Sequence, residues 1–307
     1  MTGKETEKYN SRDPTLPVHE PSSSSPSETT PKQHSAVRRE LAAFLGEFIG
    51  TFMFLFLGFT GTQIALNAAG TQQLTSSDNP APDVSKLIYI AFAFGVSLAI
   101  NVAIFADISG GKFNPAVGSA EHFAHQLAPL DATAPSAVHT SRVITRCMNR
   151  ANLSTQVTAA LFLTGKITWH RAIQTIISQM IAGMAAAGFV SGLLPGPLII
   201  ATKLDPSISI TRGLFLECFV TAQLVLTILM LKGGAAKPMY IGFSLFIAEI
   251  CSVYFTGGSL NPARSFGPAV VVGFTGYHWI YWVGPLLGAV LASGAYALIK
   301  WVRQEQE

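Results

Sequence analysis

The sequence is poor in charged residues. Aspartate, glutamate, lysine and arginine make up 12% of the 307 residues, whereas apolar residues make up 49%. An ordinary soluble domain has about twice that share of charges, so this chain has too little polar surface for a soluble globule. The net charge of +3 comes without a clustered basic face, which argues against a nucleic-acid partner.

Cysteine is also scarce, and a signal peptide is lacking. Cys147, Cys218 and Cys251 form no CxxC pair, which argues against a disulfide framework and a zinc site. Residues 1–37 contain five prolines and seven serines but almost no large apolar side chains. We therefore predict a disordered cytoplasmic tail over these residues, and membrane insertion that starts at the first internal helix.

Apolar segments of membrane-spanning length are abundant from residue 41 onward, and short polar connections separate them. A helix needs about 20 residues to cross the hydrocarbon core. Most lysines and arginines flank these segments on one side, which places both termini in the cytoplasm. We expect an all-α, multi-pass protein in the plasma membrane rather than an internal membrane. The six predicted spans are about 41–66, 87–107, 169–193, 212–232, 237–256 and 278–301.

The tripeptide Asn114-Pro115-Ala116 lies in an apolar connection between two spans, and a second apolar connection contains Asn261-Pro262-Ala263. The first copy lies between spans two and three and the second between spans five and six, on opposite sides of the membrane. Asparagine is a good N-cap, and proline is well placed at the first helical position. Each copy therefore predicts a half-length helix that enters the membrane from its own face.

The two halves of the chain repeat each other. Glu47 and Thr51 in span one have counterparts in Glu217 and Thr221 of span four, and the segment GGKFNPA matches GGSLNPA. Two repeats of three spans each must face opposite ways, which predicts an inverted pair with its functional site at the midplane.

Two half-helices that meet by their N-termini place about half a positive charge each at one point. The side chains of Asn114 and Asn261 would add N–H donors there, and the carbonyls of 110–113 and 257–260 would form a line of acceptors. Such a path repels cations, hydronium included, and suits a neutral polar solute. The pattern predicts a pore for water or a small solute.

Several motifs together resemble the aquaporin family of major intrinsic proteins. They are the paired NPA motifs, NPARSFGPA after residue 260, the ExxxT motifs of spans one and four, and HWIYWVGP at 278–285. The resemblance covers about 41–116 and 157–303. It implies an aquaporin fold, with six transmembrane helices and two re-entrant half-helices in an inverted repeat, and a homotetramer with one pore per subunit. It also implies passive conduction without catalysis, cofactor or metal.

The resemblance also assigns roles to individual residues. Glu47 and Glu217 match the glutamates that hold the half-helices. Phe94, Gly258 and Arg264 match members of the outer selectivity filter, and Glu249 stands where water-selective members commonly have histidine. We consider two positions for the Glu249 carboxylate: beside Arg264 as a partner, or turned toward the backbone of span five.

Ser265, Ala269, Tyr281 and Trp282 match the water-channel pattern rather than the glycerol-channel pattern. We therefore predict a passive water channel that excludes protons and ions. Because Glu249 departs from that pattern, a channel for hydrogen peroxide, ammonia or another small neutral solute is the alternative. A non-conducting membrane scaffold or adhesion protein is the alternative of another class.

Residues 117–156 depart from the family pattern, because polar and histidine-rich sequence follows the first NPA directly. Without them, NPA continues into VTAALFLTGKITWHRA, which has the family's length and apolar period. We interpret 117–156 as a translated intron, with a real cytoplasmic insertion as the alternative. The predicted organisation is then a tail at 1–37, a channel domain at 38–303 interrupted by this insert, and a short cytoplasmic C-terminus at 304–307.

Overall fold

A computed structural model describes residues 30–69, 83–120 and 169–304, and within these ranges every regular element is a helix. Among the described residues, six helices are long and apolar enough to cross a membrane, as predicted from the sequence. Two shorter helices lie between them in the same ranges. The eight helices are α1 (Thr30–Ala69), α2 (Val84–Ser109), α3 (115–120), α4 (Trp169–Leu193), α5 (Ile210–Met230), α6 (Lys237–Thr256), α7 (Pro262–Val272) and α8 (Ile280–Gln304).

Local chemistry sets several of the helix ends. Asp83 caps α2, since its side chain accepts hydrogen bonds from Ser85 N and Lys86 N, and Ser209 caps α5 in the same way through Arg212 N. Helices α2 and α6 both end at a glycine in the left-handed conformation, Gly110 and Gly257. That conformation is readily adopted only by glycine. It turns the chain sharply into each of the two connections that carry the NPA motifs.

The start of α1 differs from the sequence expectation. The helix begins at Thr30, inside the stretch predicted as a tail, so residues 30–37 extend α1 ahead of the candidate span Arg38–Ala68. No glycine or second proline interrupts the segment that follows Pro31 until Gly46, and extension of an existing helix is easier than nucleation of a new one. The remainder of the predicted tail, residues 1–29, lies outside the described residues, as does the predicted C-terminus from residue 305.

The packing of the helices repeats between the two halves. Helix α1 packs against α2 and α4, as α5 packs against α6 and α8. Helix α4 contacts α7, and α8 contacts α3 through a hydrogen bond from Ser293 Oγ to the Ala120 carbonyl. Helices α2 and α6 join the halves along their length. The arrangement is an inverted repeat in which each half supports the short helix of the other.

Glycines allow the joining helices to approach closely. A Cβ on Gly95 of α2 would lie 2.8 Å from the Gly242 carbonyl oxygen of α6, and a Cβ on Gly242 would overlap Ala99 of α2. Small residues of this kind let membrane helices pack backbone to backbone. The outer faces instead carry exposed large apolar side chains such as Phe92, Phe219 and Phe243, as expected of a bundle that faces lipid. The functional site lies between α2 and α6, at the ends of α3 and α7.

Candidate functional site

The two NPA connections have the same backbone conformation. Gly110 and Gly111 have φ of 100° and 58°, and Gly257 and Gly258 have φ of 83° and 59°. The residues just before the asparagines, Phe113 and Leu260, also have positive φ, at 49° and 48°, although neither is a glycine. Left-handed backbone at a bulky residue is held only where surrounding contacts fix it. Both connections are therefore tightly constrained, and in the same way.

Asn114 and Asn261 provide the contacts that join the two loops. Asn114 Nδ2 donates to the Leu260 carbonyl at 2.8 Å, and Asn261 Nδ2 donates to the Phe113 carbonyl at 2.8 Å. Each side-chain oxygen also caps its own helix, through Ala116 N at 2.8 Å and Ala263 N at 2.9 Å. Pro115 and Pro262 begin α3 and α7. The tips of the two half-helices thus meet inside the bundle, with their N-termini facing each other.

These contacts change one detail of the expected acceptor line. The carbonyls of Phe113 and Leu260 already accept from the opposite asparagine, and the Gly257 carbonyl accepts from Arg264 at 3.1 Å. We expected these carbonyls to accept hydrogen bonds from a solute, but each of them already accepts one from a side chain of the protein. Each asparagine amide has two N–H groups, so one N–H of each remains after the bond between the loops.

Two buried glutamates hold the loops from behind. Glu47 accepts from Lys112 N at 3.0 Å, Phe113 N at 3.1 Å and the Gln179 side chain at 2.8 Å. Its side chain is 1% exposed. A carboxylate that receives several N–H groups can be buried in an apolar bundle without leaving a lone charge.

Glu217 does the same in the second half. It accepts from Ser259 N at 2.9 Å, Leu260 N at 2.8 Å and Thr256 Oγ1 at 2.6 Å. The third donor differs between the halves: it is Gln179 on α4 for Glu47, and Thr256 on α6 for Glu217. Sequence reasoning found both glutamates through the repeat but missed these two partners.

Arg264 lies directly after the second NPA and is buried in α7. Its Nη1 donates to the Ile200 carbonyl at 3.0 Å and its Nη2 to the Gly257 carbonyl. The guanidinium carbon lies 5.0 Å from the centre of the Phe94 ring and 5.6 Å from that of Phe59. Two aromatic faces and two carbonyls therefore fix the cation in position. Phe59 gives no motif signal, and the sequence analysis did not identify it.

The connection that carries the Ile200 carbonyl is held by Gln63. The Gln63 side chain donates to the Pro197 carbonyl at 2.9 Å and accepts from Ile199 N at 3.1 Å. It therefore fixes the connection after α4, which carries Ile200. Gln63 is 1% exposed within span one. A buried amide in a membrane span was the available signal for this residue, since polar groups there are expensive.

Glu249 of α6 lies against Gly258, the residue with which the resemblance groups it in the outer filter. A Cβ on Gly258 would overlap the Glu249 Oε2 atom, so the carboxylate occupies the space of a missing side chain. Glu249 is 1% exposed. Within the described residues neither Glu249 Oε2 nor Arg264 Nε has a hydrogen-bond partner. One acceptor and one donor of the site are therefore unused by the protein.

A cavity of about 570 Å³ brings these groups together. It extends from the ends of α2 and α5 past both asparagines to Arg264, with Phe94, Leu98 and Leu245 among its apolar lining. Of the residues predicted for the site, the lining residues are Phe94, Asn114, Glu249, Asn261 and Arg264. Pro115, Ala116, Pro262 and Ala263 are buried in the first turns of the half-helices behind it. No cluster of metal-binding side chains is found in the part of the chain that the structure describes.

Only four residues of the predicted insert are described. Helix α3 continues through Val117 to Ala120, and Ser119 Oγ donates to the Pro115 carbonyl at 2.9 Å. The half-helix therefore extends past Ala116, the residue after which we expected the sequence to depart from the family pattern. Residues 121–156 lie outside the described residues, and so does 157–168. The interpretation of 117–156 as a translated intron stays a prediction.

Comparisons with known proteins agree with this geometry. A model of the major intrinsic protein family matches residues 34–134 and 136–296. Aquaporin-7 and Aquaporin-2 of Botryotinia fuckeliana (strain B05.10) are 43% and 44% identical over 89% of this chain. Probable aquaporin-3 of Gibberella zeae (strain ATCC MYA-4620 / CBS 123657 / FGSC 9075 / NRRL 31084 / PH-1) is 41% identical over 87% of this chain and 81% of its own length. The chain spans only 52% and 63% of the length of the two Botryotinia relatives.

A solved structure has a similar fold. The aquaglyceroporin from Plasmodium falciparum superimposes with a TM-score of 0.58, over 84% of this chain and 96% of that chain. Its sequence identity is 21%, so this likeness concerns the fold alone.

Proposed function

The chain belongs to the major intrinsic protein family, and on that premise we propose that it is a passive transmembrane channel for water that excludes protons and other ions. Members of this family are membrane channels and not enzymes. The single observation that carries the proposal is the meeting of the two asparagine-capped helix tips beside a cavity.

Ion exclusion follows from the charges at that meeting point. Two helix N-termini contribute about half a positive charge each, and the Arg264 guanidinium adds a full charge further along the same cavity. A cation there would also lose its hydration shell against the apolar wall formed by side chains such as Leu98 and Leu245. A neutral molecule experiences no such repulsion.

Proton exclusion follows from the asparagine amides. A water molecule between Asn114 and Asn261 accepts the remaining N–H of each side chain with its oxygen. Its own hydrogens then point away from the meeting point in both directions. A proton relay needs each water to donate to the next in one continuous direction, so the chain of hydrogen bonds reverses at this site and carries no proton.

Two residues near the filter support water over glycerol as the solute. Ser265 is fully buried and shares a hydrogen bond with Ser259, and Tyr281 donates to the Thr256 carbonyl at 2.9 Å. Both side chains are therefore occupied in fixing the second loop and add nothing to a polyol-binding wall. The unpartnered Glu249 carboxylate favours the second candidate function, passage of hydrogen peroxide, ammonia or another small neutral solute.

A scaffold or adhesion protein remains the rival of another class. Such a role needs no cavity between the helices and no polar groups directed into it, whereas Asn114, Asn261 and Arg264 line one here. The proposal also includes a homotetramer with one channel in each subunit, insertion in the plasma membrane, and both termini in the cytoplasm. The charge bias of the connections supports this orientation.

Osmotic measurements on vesicles test the proposal. The full-length chain is reconstituted in liposomes and mixed with sucrose, and light scattering follows the shrinkage. We expect rapid shrinkage with a low activation energy, and no re-swelling when glycerol replaces sucrose as the osmolyte. Phe243→Leu, a change on an exposed apolar face, is the matched control and should behave as the wild type. Shrinkage no faster than that of empty vesicles would contradict the proposal.

A further inference from the structure

We propose that Gly50 of α1 is a positioning residue of the channel. Its missing side chain leaves a notch in the helix surface, the Gly50 notch, which receives the ring of Phe113. Through that ring, α1 fixes the Phe113 carbonyl to which Asn261 donates at the meeting point of the two loops. This role rests on the proposed channel function, and it makes proton exclusion depend on a glycine of the first span.

The first step is the fit between Gly50 and the Phe113 ring. A Cβ on Gly50 would overlap the Cε1 and Cζ atoms of that ring, so the ring lies directly on the backbone of α1. Phe113 is fully buried. The ring of Phe105 on α2 meets it edge to face, with 6.2 Å between the ring centres. The Phe113 ring is therefore enclosed between two helices, and a larger residue at position 50 would displace it.

The second step is the backbone conformation that the Gly50 notch helps to hold. Phe113 has a φ of 49°, which a bulky residue keeps only where surrounding contacts fix it. Its N–H donates to Glu47 at 3.1 Å, and its carbonyl accepts from Asn261 at 2.8 Å. Glu47 and Gly50 are three residues apart and so lie on the same face of α1. One helix face thus holds both the N–H and the ring of Phe113, and this directs the carbonyl toward Asn261.

The third step is an exchange of sizes between the halves of the inverted repeat. In the two ExxxT motifs, Gly50 of α1 corresponds to Val220 of α5, and in the two loops Phe113 corresponds to Leu260. Val220 and Leu260 are both buried in one core cluster. The half with the smaller helix residue has the larger loop residue, as expected of two positions that fill one volume together.

The consequence for conduction concerns the orientation of the Asn261 amide. One of its N–H groups is fixed by the Phe113 carbonyl, which leaves the other for a solute. If the ring leaves the Gly50 notch, the carbonyl moves and this hydrogen bond is lost. The amide is then free to rotate, and a water molecule at the meeting point is no longer held with its hydrogens pointing away in both directions. A displaced ring therefore reduces water conduction and admits more protons for each water molecule that passes.

The test compares substitutions at positions 50 and 113 in the full-length chain reconstituted in vesicles. The variants are Gly50→Ala, Gly50→Val, Phe113→Leu, and a double variant of Gly50→Val with Phe113→Leu, which copies the pair of the second half. Light scattering measures water permeability, and a trapped pH dye measures proton entry. Circular dichroism in detergent gives the unfolding midpoint.

Gly61→Ala is the matched control on the same helix. A Cβ on Gly61 would lie 2.5 Å from the Ala93 Cβ of α2, but among the described residues it meets no loop residue within 4 Å. We expect Gly61→Ala to lower the unfolding midpoint and to leave the ratio of proton to water permeability unchanged. Addition of Phe113→Leu should not restore that midpoint.

We expect Gly50→Ala and Gly50→Val to lower water permeability by up to about tenfold and to raise the ratio of proton to water permeability, since a positioning hydrogen bond is lost. Phe113→Leu alone should lie between the wild type and Gly50→Val, because the Gly50 notch is then only partly filled. The double variant should regain most of the water permeability and the low proton ratio, because the total volume is conserved.

A Gly50→Ala variant with the wild-type ratio of proton to water permeability would overturn the inference. So would a double variant that folds and conducts no better than Gly50→Val, and this comparison holds even if both single variants at position 50 are unstable. A wild-type chain that conducts water, with Gly50→Ala equally selective, refutes only this inference. A wild-type chain that conducts no solute refutes the proposed function, and this inference with it.

Discussion

A buried carboxylate is costly unless donors surround it, and Glu47 and Glu217 meet this condition while they hold the two loops. Glu47 and Glu217 each accept three hydrogen bonds from the loops and from a neighbouring helix. Their charge is thereby spread over N–H and O–H donors, which is how a carboxylate is stabilised away from water. Without the carboxylates, the backbone N–H groups of both loops would be buried without acceptors.

Glu217→Ala tests this role directly. It leaves Ser259 N and Leu260 N without an acceptor, at about 1–3 kcal/mol for each buried group, while the Thr256 hydroxyl keeps only its longer bond to the Ser252 carbonyl at 3.2 Å. We expect the unfolding midpoint in detergent, followed by circular dichroism, to fall well below that of the wild type. Glu217→Gln keeps one acceptor oxygen, so its unfolding midpoint should lie between those of the wild type and Glu217→Ala. Because the halves are equivalent, Glu47→Ala should behave like Glu217→Ala, and a wild-type midpoint for either alanine variant would contradict this account.

Gln63 acts on the site from a distance. Gln63→Leu removes both hydrogen bonds to the connection at 197–199, which positions the carbonyl that holds Arg264. The free energy of a hydrogen bond corresponds to a change of up to about tenfold in an equilibrium. We expect water permeability of vesicles to fall by up to about that factor, with helix content unchanged. Ile64→Ala, which changes an exposed apolar side chain next to Gln63 on α1, serves as the control.

At the scale of the helices, the close crossing of α2 and α6 sets the width between the two halves. The crossing depends on Gly95 and Gly242, which lie at matching positions in the repeat. A larger residue at either position would force the helices apart, and the cavity between them would change shape. The tertiary contact thus depends on residues without side chains.

Gly242→Ala should therefore destabilise the bundle, because the added methyl group overlaps Ala99 of the facing helix. Overpacking of this kind costs about 1–3 kcal/mol. Gly188→Ala on α4 is the matched control, since a Cβ there meets nothing within 4 Å and alanine favours the helix by about 0.5–1 kcal/mol. Thermal unfolding in detergent should rank the control at or above the wild type and Gly242→Ala below it. The reverse order would refute the proposed role of the crossing.

At the scale of the whole molecule, the interpretation of 117–156 as a translated intron predicts that the channel forms without this segment. Deletion places Val157 and Ala160 where Val117 and Ala120 now lie, so the residue types at both positions stay the same. The contact from Ser293 goes to the backbone carbonyl of Ala120, which any residue can provide. The deletion therefore preserves the described contact between α3 and α8.

We accordingly expect the chain without 117–156 to conduct water at least as fast as the full-length chain in shrinkage assays. Sequencing of the transcript across the junction is the direct measurement. Uninterrupted reads through all 40 codons of the segment, together with lower permeability of the shortened chain, would show that the insertion is real.

The sequence was sufficient to predict the features of the fold that depend on local chemistry. Asparagine followed by proline in an apolar connection predicts a helix start, and the repeat then places Asn114 opposite Asn261. The contribution of Phe59 and the Ile200 carbonyl was not predictable, because both reach Arg264 through tertiary contacts that have no local pattern. The resemblance grouped Glu249 with Gly258, but their direct contact was not predictable, because it depends on the distance between α6 and the second loop.

The crossed amide bonds between the loops also have a consequence for biosynthesis. The acceptor of Asn114 lies 146 residues further along the chain. Most of the protein is therefore synthesised before this hydrogen bond can form. Until then, the amide of Asn114 and the carbonyl of Phe113 each lack their final partner. Until the second half has been inserted, water or the insertion machinery must therefore satisfy these polar groups of the first half.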